Sequence, residues 1–167
     1  MTMEARKPLR RHTALQGWSR EHHDTLMFCL KIRQGLARHV EPARISAYLI
    51  WTWENSIQTH FRSEEEELFP LIGTNHPMVR RALKEHEKIE MLFLKTPHDE
   101  EAIQLLERSL EAHIRFEERE LFELMQEDLS QEVLNAVQHR RPGSVSCPTK
   151  TPDTPNVWHD AFWMNPN

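Results

Sequence analysis

At 167 residues the chain has room for one ordinary hydrophobic core and is short for two. Hydrophobic residues make up 38% and charged residues 28%, a balance that excludes a disordered chain and fits a soluble globular one. The formal net charge of −5, with no long basic stripe, argues against a nucleic-acid partner.

In chain order, residues 1–14 form a polar, basic arm with no apolar stretch and no cleavage-site pattern. No apolar run anywhere approaches the roughly 18 residues of a membrane span. The expectation is therefore a cytoplasmic protein with neither signal peptide nor membrane partner. Glycine is rare, and Gly73 and Gly143 fall where helices should end. Few glycines, few β-branched runs and much Leu, Glu and Ala predict an all-α chain.

A first helix is predicted from about Ser19 to Val40. Leu26, Cys29, Leu36 and Val40 recur at helical spacing, preceded by Leu15 and Trp18. His22 lies on that stripe and His23 about 100° away from it. Pro42 suits the first turn of a second helix carrying Ile50, Trp53, Ile57, Phe61 and Leu68, which Pro70 and Gly73 stop. A third helix opens at Pro77, with Val79, Leu83, Ile89 and Phe93 inward. For the fourth, Thr96, Pro97 and Asp99 supply a cap, a first-turn proline and an acidic third position. It runs through Leu106, Leu110, Ile114 and Leu121 to about Glu127.

Short connections make these helices antiparallel neighbours in an up-down four-helix bundle. A short fifth helix from Ser130, covering Val133, Leu134 and Val137, completes a domain of residues 15–141. Residues 142–167 read as an irregular proline-rich tail ending in Trp158, Phe162 and Trp163, expected to pack back on the bundle. Cys29 lies on a core face and Cys147 in the tail. Neither sets up a disulfide framework or a thiolate site, and Cys29 is expected to be an inert buried thiol.

One signal repeats. The ten residues from His60 to Phe69 recur 53 residues on, from His113 to Phe122, with seven of ten identical. A weaker echo relates Glu21-His22 to Glu85-His86 near the starts of the first and third helices. The chain thus consists of two helix pairs, each with an early histidine in its first helix and a His-x-x-x-Glu in its second. Solvation accounts for Glu66, Glu67 and Glu120, but not for a histidine ahead of each run or for four histidines on or beside apolar stripes. Residues four apart share a helical face, so a histidine and a carboxylate so placed can approach one ion. Glutamates among leucines would otherwise carry a large desolvation cost, which a buried metal offsets. Imidazole plus carboxylate suits iron, with manganese and zinc as chemical competitors.

This pattern resembles the hemerythrin-like, or HHE cation-binding, domain family over roughly residues 15–128. The resemblance implies a non-haem di-iron centre bridged by two carboxylates. One iron would be held by His22 and His60, the other by His86 and His113, with Glu64 as one bridge. The second bridge stays open. Oxygen-carrying members place it five residues after the histidine, which favours Glu118, and other members use the fourth, Glu117. Where the carriers have His-x-x-x-His on the third helix, this chain has His86-Glu87-Lys88-Ile89-Glu90. Glu90 would either replace the missing imidazole or leave an open coordination position. Glu65 is read as solvated or as orienting an imidazole through its other nitrogen. His12, His39, His76, His98, His139 and His159 are expected at the surface. Trp18, Leu26, Cys29, Phe61 and Phe116 either line a dry pocket around the metals or simply pack in the core.

The resemblance implies a protein that binds or reacts with dioxygen or a related small oxidant, as a sensor or buffer. As a sensor it would need a separate protein partner to read its state. A peroxidase or nitric-oxide-reducing enzyme, an iron storage or delivery protein, and a structural helical bundle are the alternatives. Sustained turnover with an electron donor, exchangeable metal and absence of metal would respectively distinguish them.

Overall fold

The computed structural model describes residues 10–95 and 98–140. Among them every long element is helical, in the predicted order. A 3-10 turn, Thr13–Leu15, leads into α1, Gln16–Ala37. Helix α2 covers residues 42–72, α3 is Pro77–Leu94, α4 covers residues 100–128 and α5 is Gln131–Arg140. No described helix is long and apolar enough to cross a membrane. The tail expected at 142–167, like the proposed cap at Thr96 and Pro97, lies outside the described residues.

Local chemistry sets most boundaries. Proline opens α2 at Pro42 and α3 at Pro77, where its missing N–H costs nothing. The imidazole of His76 caps α3 by accepting from the Met78 N–H. Asp99 caps α4 by accepting from the Ala102 N–H, so the helix starts three residues later than an Asp at its third position implied. Gly73, at φ 103°, ends α2 in a region closed to side chains. Helix α1 ends in a Schellman arrangement. His39 takes a left-handed φ of 56°, its N–H donating to Leu36 O while the Val40 N–H donates to Gly35 O.

Paired contacts fix the directions. Along α1, His22 meets His60 of α2 and Phe28 meets Tyr48, so these helices are antiparallel. Phe61 meets His86 of α3 and Trp53 meets Phe93, again antiparallel. Helix α4 closes the bundle, its Glu107 beside Cys29 and its Glu117 beside His22.

The core falls into two apolar clusters. One holds Phe28, Ile32, Leu49, Ile89 and Leu106, and the other Trp18, Phe69, Phe116, Phe122 and Val137, the last from α5. Each fully buried side chain of this size contributes about 1.5–3 kcal/mol. Cys29 belongs to the first cluster, and burial beside Glu107 pushes its thiol pKa up to about 12, which makes it inert. Among the described residues, one histidine departs from its expected surface location. His98 is buried between α2 and α3, its Nδ1 2.6 Å from Ser46 Oγ and its Nε2 2.8 Å from Leu92 O. A polar layer separates the two clusters, with His22, His60, His86 and His113 at its level.

Candidate metal centre

Helix α2 is interrupted twice by π turns, at Trp53–Ile57 and Glu64–Leu68, and α4 once, at Glu117–Leu121. Two of these occupy equivalent places in the sequence repeat. The Phe69 N–H donates to Glu64 O and the Phe122 N–H to Glu117 O, each five residues back. Ahead of each π turn, His60 and Glu64, and likewise His113 and Glu117, stand one α-helical turn apart. The closest approaches within these pairs are 3.4 Å and 3.3 Å, from imidazole Nε2 to carboxylate.

The side chains of His22, His60, Glu64, His86, His113 and Glu117 are all buried. Candidate ligand atoms of His22, His60, Glu64 and Glu117 lie within 4.8 Å of one another, as do those of Glu64, His86, His113 and Glu117. Both carboxylates belong to both groups. Glu64 Oε1 is 3.1 Å from His22 Nε2, and its Oε2 is 3.4 Å from His86 Nε2. Glu117 Oε2 is 3.2 Å from His22 Nε2, and its Oε1 is 3.8 Å from His86 Nε2.

The outer nitrogens are held with the same regularity. His22 Nδ1 lies 2.6 Å from Glu118, His60 Nδ1 2.7 Å from Glu21, His86 Nδ1 2.7 Å from Glu65 and His113 Nδ1 2.8 Å from Glu85. A carboxylate accepts only, so each Nδ1 carries a proton and donates it, which aims the Nε2 position inward. The exchange follows a two-fold pattern. Each second-helix histidine bonds a glutamate of its own helix pair, and each first-helix histidine bonds one from the other pair. Phe122 stacks on His22 and Phe69 lies against His86 in the same crossed way.

Burial alone would lower the histidine pKa values. For His22 the carboxylates of Glu117, Glu118 and Glu64 outweigh it and raise the value well above normal. For His86, Glu64 and Glu65 do so, to about 9. Burial would raise Glu64, yet His60, His22 and His86 hold it well below the usual carboxylate range. Glu118 is likewise driven down to about 2, against its burial, chiefly by His22. The interior is thus built to stabilise positive charge at the inner nitrogens.

Six buried atoms here lack any hydrogen-bond partner: His60 Nε2, His86 Nε2, His113 Nε2, Glu64 Oε2 and both oxygens of Glu117. Orphaned polar atoms are rare in protein interiors, and six facing one another form a set that cations between them would satisfy. The residues present therefore fit bound metal. A family comparison agrees: residues 13–125 match the hemerythrin HHE cation binding domain. The chain belongs to that family. It is a helical cation-binding domain whose buried histidine–glutamate groups can hold metal. Comparison with curated proteins and with solved structures returned no match.

Within this hemerythrin-type bundle, two expected positions need correction. Glu118, favoured as the second bridge by carrier-like spacing, lies on the outer side of His22 with its side chain 21% exposed. Glu117, four residues after His113, shares the histidine's face, and the next residue is rotated about 100° toward α1. Glu90 is half-buried and belongs to neither four-residue group; it lines a cavity with Glu65, Glu66, Glu87 and His86. Ile89, fully buried, takes the inward position one turn after His86. His23 is exposed, leaving His22 as the inward member of that pair. Of the suggested pocket residues, Phe61 stacks flat on His86 at 3.8 Å, Trp18, Phe116 and Cys29 pack in the core clusters, and Leu26 is half-buried. Glu21 and Glu85 were missed as orienting carboxylates, although the Glu-His echo at 21–22 and 85–86 carried that signal.

Proposed function

We propose that this chain is a non-haem di-iron protein that binds or reacts with dioxygen or a related small oxidant, in a sensing or buffering role. The observation that carries this reading is the pair of overlapping four-residue groups sharing both Glu64 and Glu117. Two shared carboxylates suit two ions at close range, and a nitrogen- and oxygen-rich set with no thiolate suits iron. His22 and His60 would hold one ion, and His86 and His113 the other, with Glu64 and Glu117 spanning both. When bound, a pair of irons supplies two electrons' worth of redox chemistry at one buried point.

The chain's own residues prepare that point. The four outer glutamates fix each imidazole in the tautomer that presents a lone pair inward and raise its basicity. Phe61, Phe69 and Phe122 pack against the rings and keep water away from the inner nitrogens. Glu90 in place of an inward third-helix histidine leaves the His86/His113 position one imidazole poorer than in oxygen carriers. That shortfall favours reaction with, or sensing of, an oxidant over reversible carriage.

Elemental analysis of untagged protein, with optical spectra before and after anaerobic reduction and re-exposure to air, tests the reading. About two irons per chain and an absorption that bleaches on reduction and returns in air are expected. Zinc, one ion or none in protein expressed with ample iron would overturn it.

A further inference from the structure

The four outer carboxylates follow a two-fold pattern, but their surroundings do not. At the His22/His60 position, Glu118 also accepts from Ser19 Oγ at 2.7 Å and from Arg11 Nη2 at 2.9 Å. Arg11 has a side chain only 8% exposed. It donates further to the Glu118 carbonyl at 2.6 Å, to Glu123 and to Gln126, and lies over the Phe122 ring that stacks on His22. Glu21, on the outer side of His60, is 10% exposed.

At the His86/His113 position the equivalents are open. Glu65 is 42% exposed, and with Phe61 and His86 it lines a cavity of about 450 Å³ between α2 and α3. Glu85 is 28% exposed and borders a second cavity of about 470 Å³ on α3, where its partner Arg81 is half exposed.

We propose that the two cation positions are kinetically unequal: the His86/His113 position exchanges its ion with solvent past Glu65, and Arg11 closes the His22/His60 position. This rests on the two-ion reading above. An ion leaves a buried site by stepwise replacement of its protein contacts, which requires an imidazole to swing away and its outer carboxylate to release it. Glu65 already meets water, so releasing His86 exposes no unpaired charge. Glu118 is tied to Arg11 and Ser19, and moving it would strip the buried guanidinium of one of its two carboxylate partners, a costly step. Ions would accordingly both load and depart first at the His86/His113 position.

The test uses the full chain loaded anaerobically with Fe²⁺ and mixed with excess ferrozine, whose absorbance reports release. Two phases of equal amplitude, one ion each, are expected. Arg11→Ala should accelerate the slow phase by about 10-fold or more and leave the fast phase unchanged, in line with the usual effect of removing an outer-shell partner. Glu65→Ala, at a side chain 42% exposed, should accelerate only the fast phase. A single phase for both ions in the unsubstituted protein overturns the proposal and leaves the two-ion reading standing. So does acceleration of the fast phase alone by Arg11→Ala. Binding of only one ion before mixing overturns the two-ion reading, and this inference with it.

Discussion

Removing metal should destabilise this fold far more than removing a surface ligand would. Six buried atoms around the centre have no hydrogen-bond partner, three of them imidazole nitrogens and three carboxylate oxygens. Each buried unsatisfied group costs about 1–3 kcal/mol. Proton sharing between imidazoles and carboxylates recovers part of that, so about 5 kcal/mol, just under the lower end for six groups, is the working figure. A domain of this size is held by about 5–15 kcal/mol in all. At about 3 °C per kcal/mol, chelation should lower Tm by about 15 °C. Thermal unfolding followed by circular dichroism, with excess chelator and with two equivalents of Fe²⁺ under nitrogen, makes the comparison. Two bound ions with a Tm difference under about 3 °C would refute the reasoning, because the orphaned atoms would then be satisfied without metal.

Glu117 and Glu118 should separate cleanly. Glu117→Ala is expected to lose stoichiometric metal, and Glu118→Gln to keep two ions at an affinity lower by about 10- to 100-fold, both read by equilibrium dialysis with elemental analysis. The reverse order would restore Glu118 as the bridge. Metal uptake should also release protons. His86, raised to about 9, and His22, raised well above normal, carry protons at neutral pH in the metal-free chain. Affinity should therefore rise with pH up to about 9, and a pH-independent affinity between about pH 6 and 8 would contradict this. Far from the centre, His39→Gly should raise stability by about 0.5–1 kcal/mol by relieving its left-handed φ, seen as a higher urea midpoint.

The bundle was legible because its signals are local. Pro42 and Pro77 open helices and Gly73 closes one, each through backbone constraints that hold wherever the residue sits. The inward His60, Glu64, His86 and His113 were legible because duplication is hard to explain by surface solvation. What could not be read was azimuth at single-residue precision. Glu117 and Glu118 are neighbours of the same type, and choosing between them requires knowing where α1 lies. His98 resembled a turn residue because its partners, Ser46 and the Leu92 carbonyl, are 52 and 6 residues away in sequence. The Arg11 contacts span more than 100 residues and leave no trace in any local pattern.

The crossed pairing of Glu65 with His86 and Glu118 with His22 has an architectural consequence. Neither helix pair can orient its own first histidine, so half of this chain could never complete a centre alone. A free-standing α1–α2 unit would need the His-x-x-x-Glu-Glu helix of another copy, placed by a two-fold axis, to supply the missing carboxylate. The present chain is, in its geometry, a symmetric dimer written as one polypeptide. The two halves are nonetheless unequal in one respect: Glu118 lies beneath the buried Arg11, whereas its counterpart Glu65 is open.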